Sequence, residues 1–266
     1  MKRPLLARLL PNRLKQSLYP RWYHSRHAAW GGLFDVAPLA LSPGITMHGL
    51  LPGDFISGSI AFNGFFELVL SRRIRRLAAT GGLLVDVGAN MGYFSLLWAG
   101  SHPSARAIAF EAAPRNVKLL ENNVARNRLA GRITIVPKAA SDQPGTLAFD
   151  PGPPEQTGWG GISPVFSPGT LVVPAVRLDQ TLPDAPIDVL KIDVEGADTL
   201  VLRGCEALLR ARRIGMIFFE ENRVRMEALG IAPGEAQTFL RDLGYTCVPF
   251  EARHQEWTAY PKSRPT

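Results

Sequence analysis

Five short apolar runs, four of them closed by an acid, alternate along this chain with segments of helical periodicity. Leu83-Leu84-Val85 and residues 106–110, 133–136, 187–192 and 214–219 have the length and composition of strands buried on both faces. Helical segments stand between them. Residues 93–99 form one; residues 114–125 form another, with Pro114 in its first turn and Val117, Leu120 and Val124 on one face. Residues 197–212 form a third, broken near Gly204, and residues 232–243 a last one with Pro233 in its first turn. Residues 245–249 and 256–259 read as an antiparallel hairpin. The pattern predicts an α/β fold, a doubly wound and mostly parallel sheet with helices on both faces and this hairpin at one end.

Two segments break the rhythm. Residues 151–170 hold five prolines and five glycines between the strand-like segments 147–150 and 171–173. A loop of that length in a compact domain is usually functional, and it is expected to be a lid on the substrate side. Residues 36–62 read as loops and short strands, with apolar interludes at 45–47 and 55–60. Residues 66–79 read as a helix that ends at Gly81-Gly82 and carries Arg72, Arg73, Arg75 and Arg76 on its outer sides. With 266 residues and 46% apolar content, the chain can bury one sizeable core. The expected organisation is a basic arm at 1–35 and a single domain at 36–266, with a lead-in at 36–80 and the wound core at 81–266.

Charge is concentrated at one end. Lys2, Arg3, Arg8, Arg13, Lys15, Arg21 and Arg26 all precede the first acid, Asp35, and their +7 equals the formal charge of the whole chain. The body beyond them is neutral by count, so no broad nucleic-acid face is expected there. Leu5, Leu6, Leu9 and Leu10 line one side of a short helix ended by Pro11, with Tyr19, Trp22, Tyr23 and Trp30 following. Such a segment suits peripheral contact of residues 1–27 with an anionic membrane, each basic residue adding about 1 kcal/mol. A mobile arm, or one packed across the body, fits the same composition. No run approaches the roughly 20 residues needed to cross a bilayer, and Arg8 interrupts the one apolar stretch that a secretion signal would need. Cys205 and Cys247 read as buried thiols of a reducing compartment. The expectation is a cytoplasmic protein, with peripheral contact at the inner face of the membrane as one of the two readings of the arm.

The stretch Asp86-Val-Gly88-Ala89-Asn90-Met-Gly92 carries the most chemistry. It reads as a strand passing through a glycine turn into a helix, which brings backbone close to a small ligand. A dinucleotide turn would have glycine in the first position, where this chain has Asp86. A carboxylate there repels phosphate and suits a cationic ligand, and S-adenosylmethionine presents an ammonium and a sulfonium. Glu111 closes the second strand 25 residues later, where an acid accepts from ribose hydroxyls. Ala140 and Asp142, after the third strand, are placed beside the adenine. Asp193 and Glu220 end the fourth and fifth strands on the same edge.

Asp193 is the best candidate for a base, since a carboxylate desolvated at the end of a buried strand can be raised toward a useful pKa. Lys191, Asp193 and Glu195 alternate and are expected to share one face, with Lys191 orienting the acceptor or steadying Asp193. The same residues also fit a structural Lys191–Glu195 pair with Asp193 capping the next helix. Asn90 likewise fits a plain N-cap. A divalent metal on Asp193, Glu220 and Asn222 is an outside reading, and no metal is expected. The histidines, His24, His27, His48, His102 and His254, make no ligand pattern.

Residues 84–93 (LVDVGANMGY), Phe110-Glu111-Ala-Ala-Pro114 and Ile192-Asp193-Val194-Glu195-Gly196 together resemble the motifs of the FkbM family of S-adenosylmethionine-dependent methyltransferases. Arg177-Leu178-Asp179 and the small residues 139–142 fit as well, whereas Trp159-Gly160-Gly161 stands where an asparagine–glycine step is common. The resemblance spans about residues 62–222. It implies a class I methyltransferase, Rossmann-like fold, and O-methylation of a glycan or other natural-product hydroxyl. It implies that Asp86, Gly88, Ala89, Asn90, Gly92 and Glu111 hold the donor, that Glu67 is the acid in the helix before the first strand, and that Asp193 faces the reaction. Two other functions stay open beside it: a dehydrogenase on the same sheet, and a membrane-docked protein that binds the donor without turnover.

Overall fold

The computed structural model describes residues 3, 9–22, 31–251 and 255–262. It begins with α1 (Asn12–Trp22), α2 (Gly32–Asp35), the antiparallel pair β1 (Val36–Pro38) and β2 (Thr46–His48), α3 (Phe55–Asn63) and α4 (Leu68–Leu77). The core follows as β3 (Gly82–Val87), α5 (Tyr93–Ser101), β4 (Ala105–Phe110), α6 (Pro114–Arg126) and β5 (Ile133–Val136). Next come β6 (Ala139–Ala140), β7 (Gly145–Asp150), β8 (Gly161–Ile162), β9 (Leu171–Val176) and α7 (Leu178–Thr181). The chain continues through β10 (Ile187–Ile192), α8 (Asp198–Arg203), α9 (Glu206–Arg210), β11 (Ile214–Glu220), α10 (Arg223–Ala228) and α11 (Glu235–Asp242). Finally β12 (Tyr245–Glu251) and β13 (Glu256–Pro261) form a hairpin.

The central sheet has the order β12-β13-β11-β10-β3-β4-β5. Strands β3, β4, β5, β10 and β11 run parallel, and β13 is antiparallel to both neighbours. This is the doubly wound, mostly parallel sheet that the apolar runs predict. The direction of winding reverses between β3 and β10, and ligands of such sheets bind outside the carboxyl ends at that reversal. Alternate residues face opposite layers. Leu84, Ala107, Val189 and Phe218 pack with Leu96, Leu97 and Trp98 of α5 and with Leu120 and Val124 of α6. Val85, Leu190, Ile192 and Ile217 pack with Val201 and Leu202 of α8, Leu209 of α9 and Leu240 of α11.

Several elements differ from the sequence expectation. Residues 55–60 lie in the helix α3, not in a short strand. Asp54 caps it, its carboxylate accepting from the Ser57 N–H at 2.8 Å, a stop-start signal that the apolar run concealed. Leu9 is helical and Leu10 is not, so a helix stops ahead of Pro11 as expected; the Pro11 carbonyl accepts from Leu14 and Lys15, and a new helix, α1, starts beside it. Tyr19 of α1 is buried against Phe62, with ring centroids 5.8 Å apart, so residues 12–22 are built into the body. Pro233 precedes α11, whose N-cap is Gly234, and α10 had no counterpart in the sequence reading. Arg3 donates to the carbonyls of Ala61 and Ile60 at 2.9 and 3.2 Å, and burial lowers its pKa to about 10. Lys2, Leu5, Leu6, Arg8, Tyr23, Arg26 and Trp30 of the expected membrane-facing arm lie outside the described residues. Among the described residues, no helix is long and apolar enough to cross a membrane.

Candidate active site

β3 runs on through Val87, so the turn after it starts at Gly88, and Asp86 belongs to the sheet rather than to the turn. The N–H groups of Gly88 and Ala89 donate to the carbonyl of Phe110 at 3.0 and 2.9 Å, tying the ends of β3 and β4 together. Gly88 has φ 76°, and a Cβ there would overlap the backbone oxygen of Asp193. Gly92, at φ 91°, would overlap Leu120 of α6 in the same way. These glycines therefore let two strand exits and a helix approach each other. Gly88 also leaves room for a ligand, since it lines the cavity described next, whereas Gly92 does not. Gly92 also occupies the N-cap of α5, so Asn90 does not cap that helix.

A cavity of about 220 Å³ opens at this edge. At one end lies Glu111, whose buried carboxylate accepts from the Asn90 N–H at 2.7 Å and the Ala113 N–H at 2.8 Å. Burial raises its pKa, opposed by these N–H groups. Asn90 sits in the left-handed region at φ 52° and donates its amide to Thr157 Oγ1 at 3.1 Å. Its buried Oδ1 has no hydrogen-bond partner among the described residues. Ala140 lines the same end. Asp142 does not: its carboxylate accepts from the Ser141 hydroxyl, and its carbonyl from Arg177.

At the other end Glu67, Lys191, Asp193, Glu195 and Glu220 line the wall. Lys191 Nζ lies 3.2 Å from Asp193 Oδ2 and 3.7 Å from Asp86 Oδ1, with the Phe94 ring centroid 4.9 Å away. Burial alone would push this ammonium down, but Asp193, Asp86 and Glu67 outweigh it and hold it above its ordinary range. Asp86 is fully buried and does not line the cavity; it accepts from the Ser95 hydroxyl at 2.7 Å and faces Lys191. The Asp193 side chain is 34% exposed, more open than the end of a buried strand implied.

Glu195 reaches this wall by another route than strand alternation. It follows the end of β10 in a left-handed turn (φ 55°), and its carboxylate accepts from the Asn222 amide at 2.7 Å. Lys191 thus pairs with Asp86 and Asp193, not with Glu195, and the N-cap of α8 is Ala197, not Asp193. Oxygens of Asp193, Glu195 and Glu220 come within 4.8 Å of one another, whereas Asn222 is occupied with Glu195. Burial, then Asp193, Asp198 and Glu195, push the Glu220 carboxyl up to about 10, and burial raises Asp198 to about 7. A carboxyl that keeps its proton at neutral pH is a hydrogen-bond donor.

The proline-rich loop forms the third wall through Gln156, Thr157, Gly158, Trp159 and Gly160. It is pinned. Arg115 donates to the carbonyls of Pro154 and Gln156 at 2.8 and 2.9 Å, and Asn116 to that of Thr157 at 2.9 Å. Asp54 accepts from the Thr157 N–H at 3.0 Å and its hydroxyl at 3.1 Å. The role of Asp54 was missed, although its place ahead of the 55–60 run with Ser57 three residues on is an N-cap signature.

The model of the methyltransferase FkbM domain matches residues 86–247, which takes in the glycine turn, Glu111 and the wall from Lys191 to Glu220. The chain belongs to the FkbM methyltransferase family. The 31-O-demethyl-FK506 methyltransferase FkbM of Streptomyces tacrolimicus is 30% identical over 200 residues, covering 63% of this chain and 74% of that protein. The methyltransferase sdnD of Sordaria araneosa is 30% identical over 155 residues, covering 46% of this chain and 60% of that one. A crystal structure of a FkbM methyltransferase from Methylobacillus flagellatus KT superposes with a TM-score of 0.48 at 15% identity, covering 79% of this chain and 56% of that one. The chain thus spans less than two thirds of two of these relatives. Of the residues that the sequence predicts for the site, Glu67, Gly88, Ala89, Asn90, Glu111, Ala140, Lys191, Asp193 and Glu195 line one cavity. Asp86, Gly92 and Asp142 stand behind or beside it.

Proposed function

We propose that this protein is an S-adenosylmethionine-dependent O-methyltransferase acting on a hydroxyl of a glycan or other small natural product. The observation that carries the reading is that Glu111 and Asp193, at the carboxyl ends of β4 and β10 on either side of β3, line one cavity where the winding reverses. The residues fit this donor. Glu111 has lone pairs left for ribose hydroxyls, and the orphaned Asn90 Oδ1 offers an acceptor on the same wall. Glu67 and Asp193 supply negative charge where the donor is cationic. When bound, the donor supplies a methyl group on a sulfonium leaving group. The family match favours methyl transfer over hydride transfer on this sheet.

Asp193 accepts the proton of the acceptor hydroxyl as the oxygen–methyl bond forms and the sulfur–methyl bond breaks. The Lys191 ammonium, fixed by Asp86, orients that carboxylate at 3.2 Å. Protonated Glu220 adds no charge and donates toward the acceptor. Positioning of this kind supplies about 7–11 kcal/mol, more than the roughly 10²–10⁴-fold from a base. The test is incubation with carbon-13 methyl-labelled donor and pools of glycans and hydroxylated natural products. A labelled O-methyl resonance supports the reading. Label on nitrogen alone, or on no acceptor from donor-binding protein, contradicts it.

A further inference from the structure

Glu67, at the reaction end of the cavity, borders two further hollows. A hollow of about 30 Å³ leads from Lys191, Asp193 and Glu220 past Leu70 to Glu256 and Trp257. A larger one, about 220 Å³, lies between α1, α3 and the start of α4. Glu67 lines all three spaces, and Phe55 and Phe66 line both the donor cavity and the larger hollow. Glu67 is held at this junction in the left-handed region, at φ 39°. A non-glycine residue there is strained, and such strain clusters at ligand sites. Ser71 secures the turn: its N–H donates to the Glu67 carbonyl at 2.8 Å, its hydroxyl donates to the Phe66 carbonyl, and that hydroxyl lies 2.9 Å from the Tyr93 hydroxyl.

The walls of the larger hollow are Tyr19, Phe55, Phe66 and Val69, with the amides of Gln16 and Asn63 among them. Phe55 is 51% and Val69 44% exposed, so large apolar side chains stand open at its mouth. Among the described residues, none that lines it is basic. In the passage, the buried indole N–H of Trp257 has no acceptor among the described residues.

We propose that this hollow is the acceptor subsite, taking the uncharged, partly apolar body of a hydroxylated acceptor whose hydroxyl reaches Asp193 through the junction at Glu67. The inference rests on the methyl-transfer reading. An acceptor must approach the methyl from the side away from sulfur, and Glu67, Phe55 and Phe66 are the residues shared by the reaction cavity and this hollow. Aromatic walls suit the apolar face of a sugar ring or macrocycle, and side-chain amides suit its hydroxyls. The two acids that line the hollow, Glu67 and Glu256, disfavour a phosphate-bearing acceptor. In this arrangement α1 is one wall of the acceptor site.

The test uses Nile red, a neutral apolar dye, titrated by fluorescence into the full chain saturated with S-adenosylhomocysteine. The expected result is saturable binding that Val69→Arg weakens at least tenfold, with S-adenosylhomocysteine affinity kept within twofold. Val224→Arg, at a position 80% exposed and lining none of these hollows, should leave dye binding unchanged. No dye binding by the wild type, equal binding by Val69→Arg, or competition between dye and S-adenosylhomocysteine would overturn the subsite while leaving the donor reading standing. Failure of S-adenosylhomocysteine to bind at all would overturn the donor reading, and the subsite with it.

Discussion

Lys191 and Asp86 stand opposite each other in register on the neighbouring parallel strands β10 and β3, and their side chains meet 3.7 Å apart. Lys191 reaches the cavity and Asp86 does not, so Asp86 acts on the site through its partner. A buried charge stripped of a partner is costly, about 3–5 kcal/mol, whereas replacing both by apolar groups is often tolerated. Asp86→Ala is therefore expected to lower the melting temperature by on the order of 10 °C. Asp86→Leu combined with Lys191→Met should recover most of that loss in a thermal melt. Equal stability of Asp86→Ala and wild type would show that the pair is not coupled.

Asp193→Asn tests the base. Donor affinity should stay within a few-fold, because the adenosine end is untouched, while turnover falls roughly 10²–10⁴-fold. A variant with wild-type kcat would remove Asp193 from the proton path.

Glu220 gives the pH dependence its sign. Its folded carboxyl is raised from 4.5 to about 10, so between those values the folded state holds a proton that the unfolded chain has lost. Stability from this group is complete below pH 4.5 and declines as pH rises toward 10. Asp198, raised from 3.8 to about 7, acts in the same direction over a lower range. Glu220→Gln should flatten the fall in melting temperature between pH 5 and 9 and melt higher than wild type at pH 9. A parallel pH profile for the two proteins would refute the raised Glu220.

Arg115 holds the proline-rich loop by its carbonyls. Arg115→Ala should increase cleavage within residues 151–157 during limited proteolysis, read by mass spectrometry, with little change in global melting. Unchanged cleavage would show that Asp54 and Asn116 suffice.

Much of this was legible in the sequence because buried parallel strands advertise themselves as short apolar runs. The sheet, the break at Gly204 and the terminal hairpin follow from that signal. Asp86 did not follow. The apolar run Leu83-Leu84-Val85 stops before the acid, and only the register of β3 with β10 shows that Asp86 faces Lys191 inside the sheet. Residues 55–60 misled for a related reason: a helix buried all round has no amphipathic period, and only the Asp54 cap marks it. The part of Glu220 depends on its approach to Asp193, Glu195 and Asp198, which no linear spacing reveals.

Glu111 bears most directly on the central claim, that an acidic cavity at the reversal of the sheet holds S-adenosylmethionine. The decisive measurement is calorimetric titration of S-adenosylmethionine into the wild type and into Glu111→Ala, each shown to be folded by circular dichroism. One-site binding by the wild type, weakened at least tenfold in the variant, is the predicted result. A folded wild type that releases no heat of binding, or a variant that binds equally well, would contradict it.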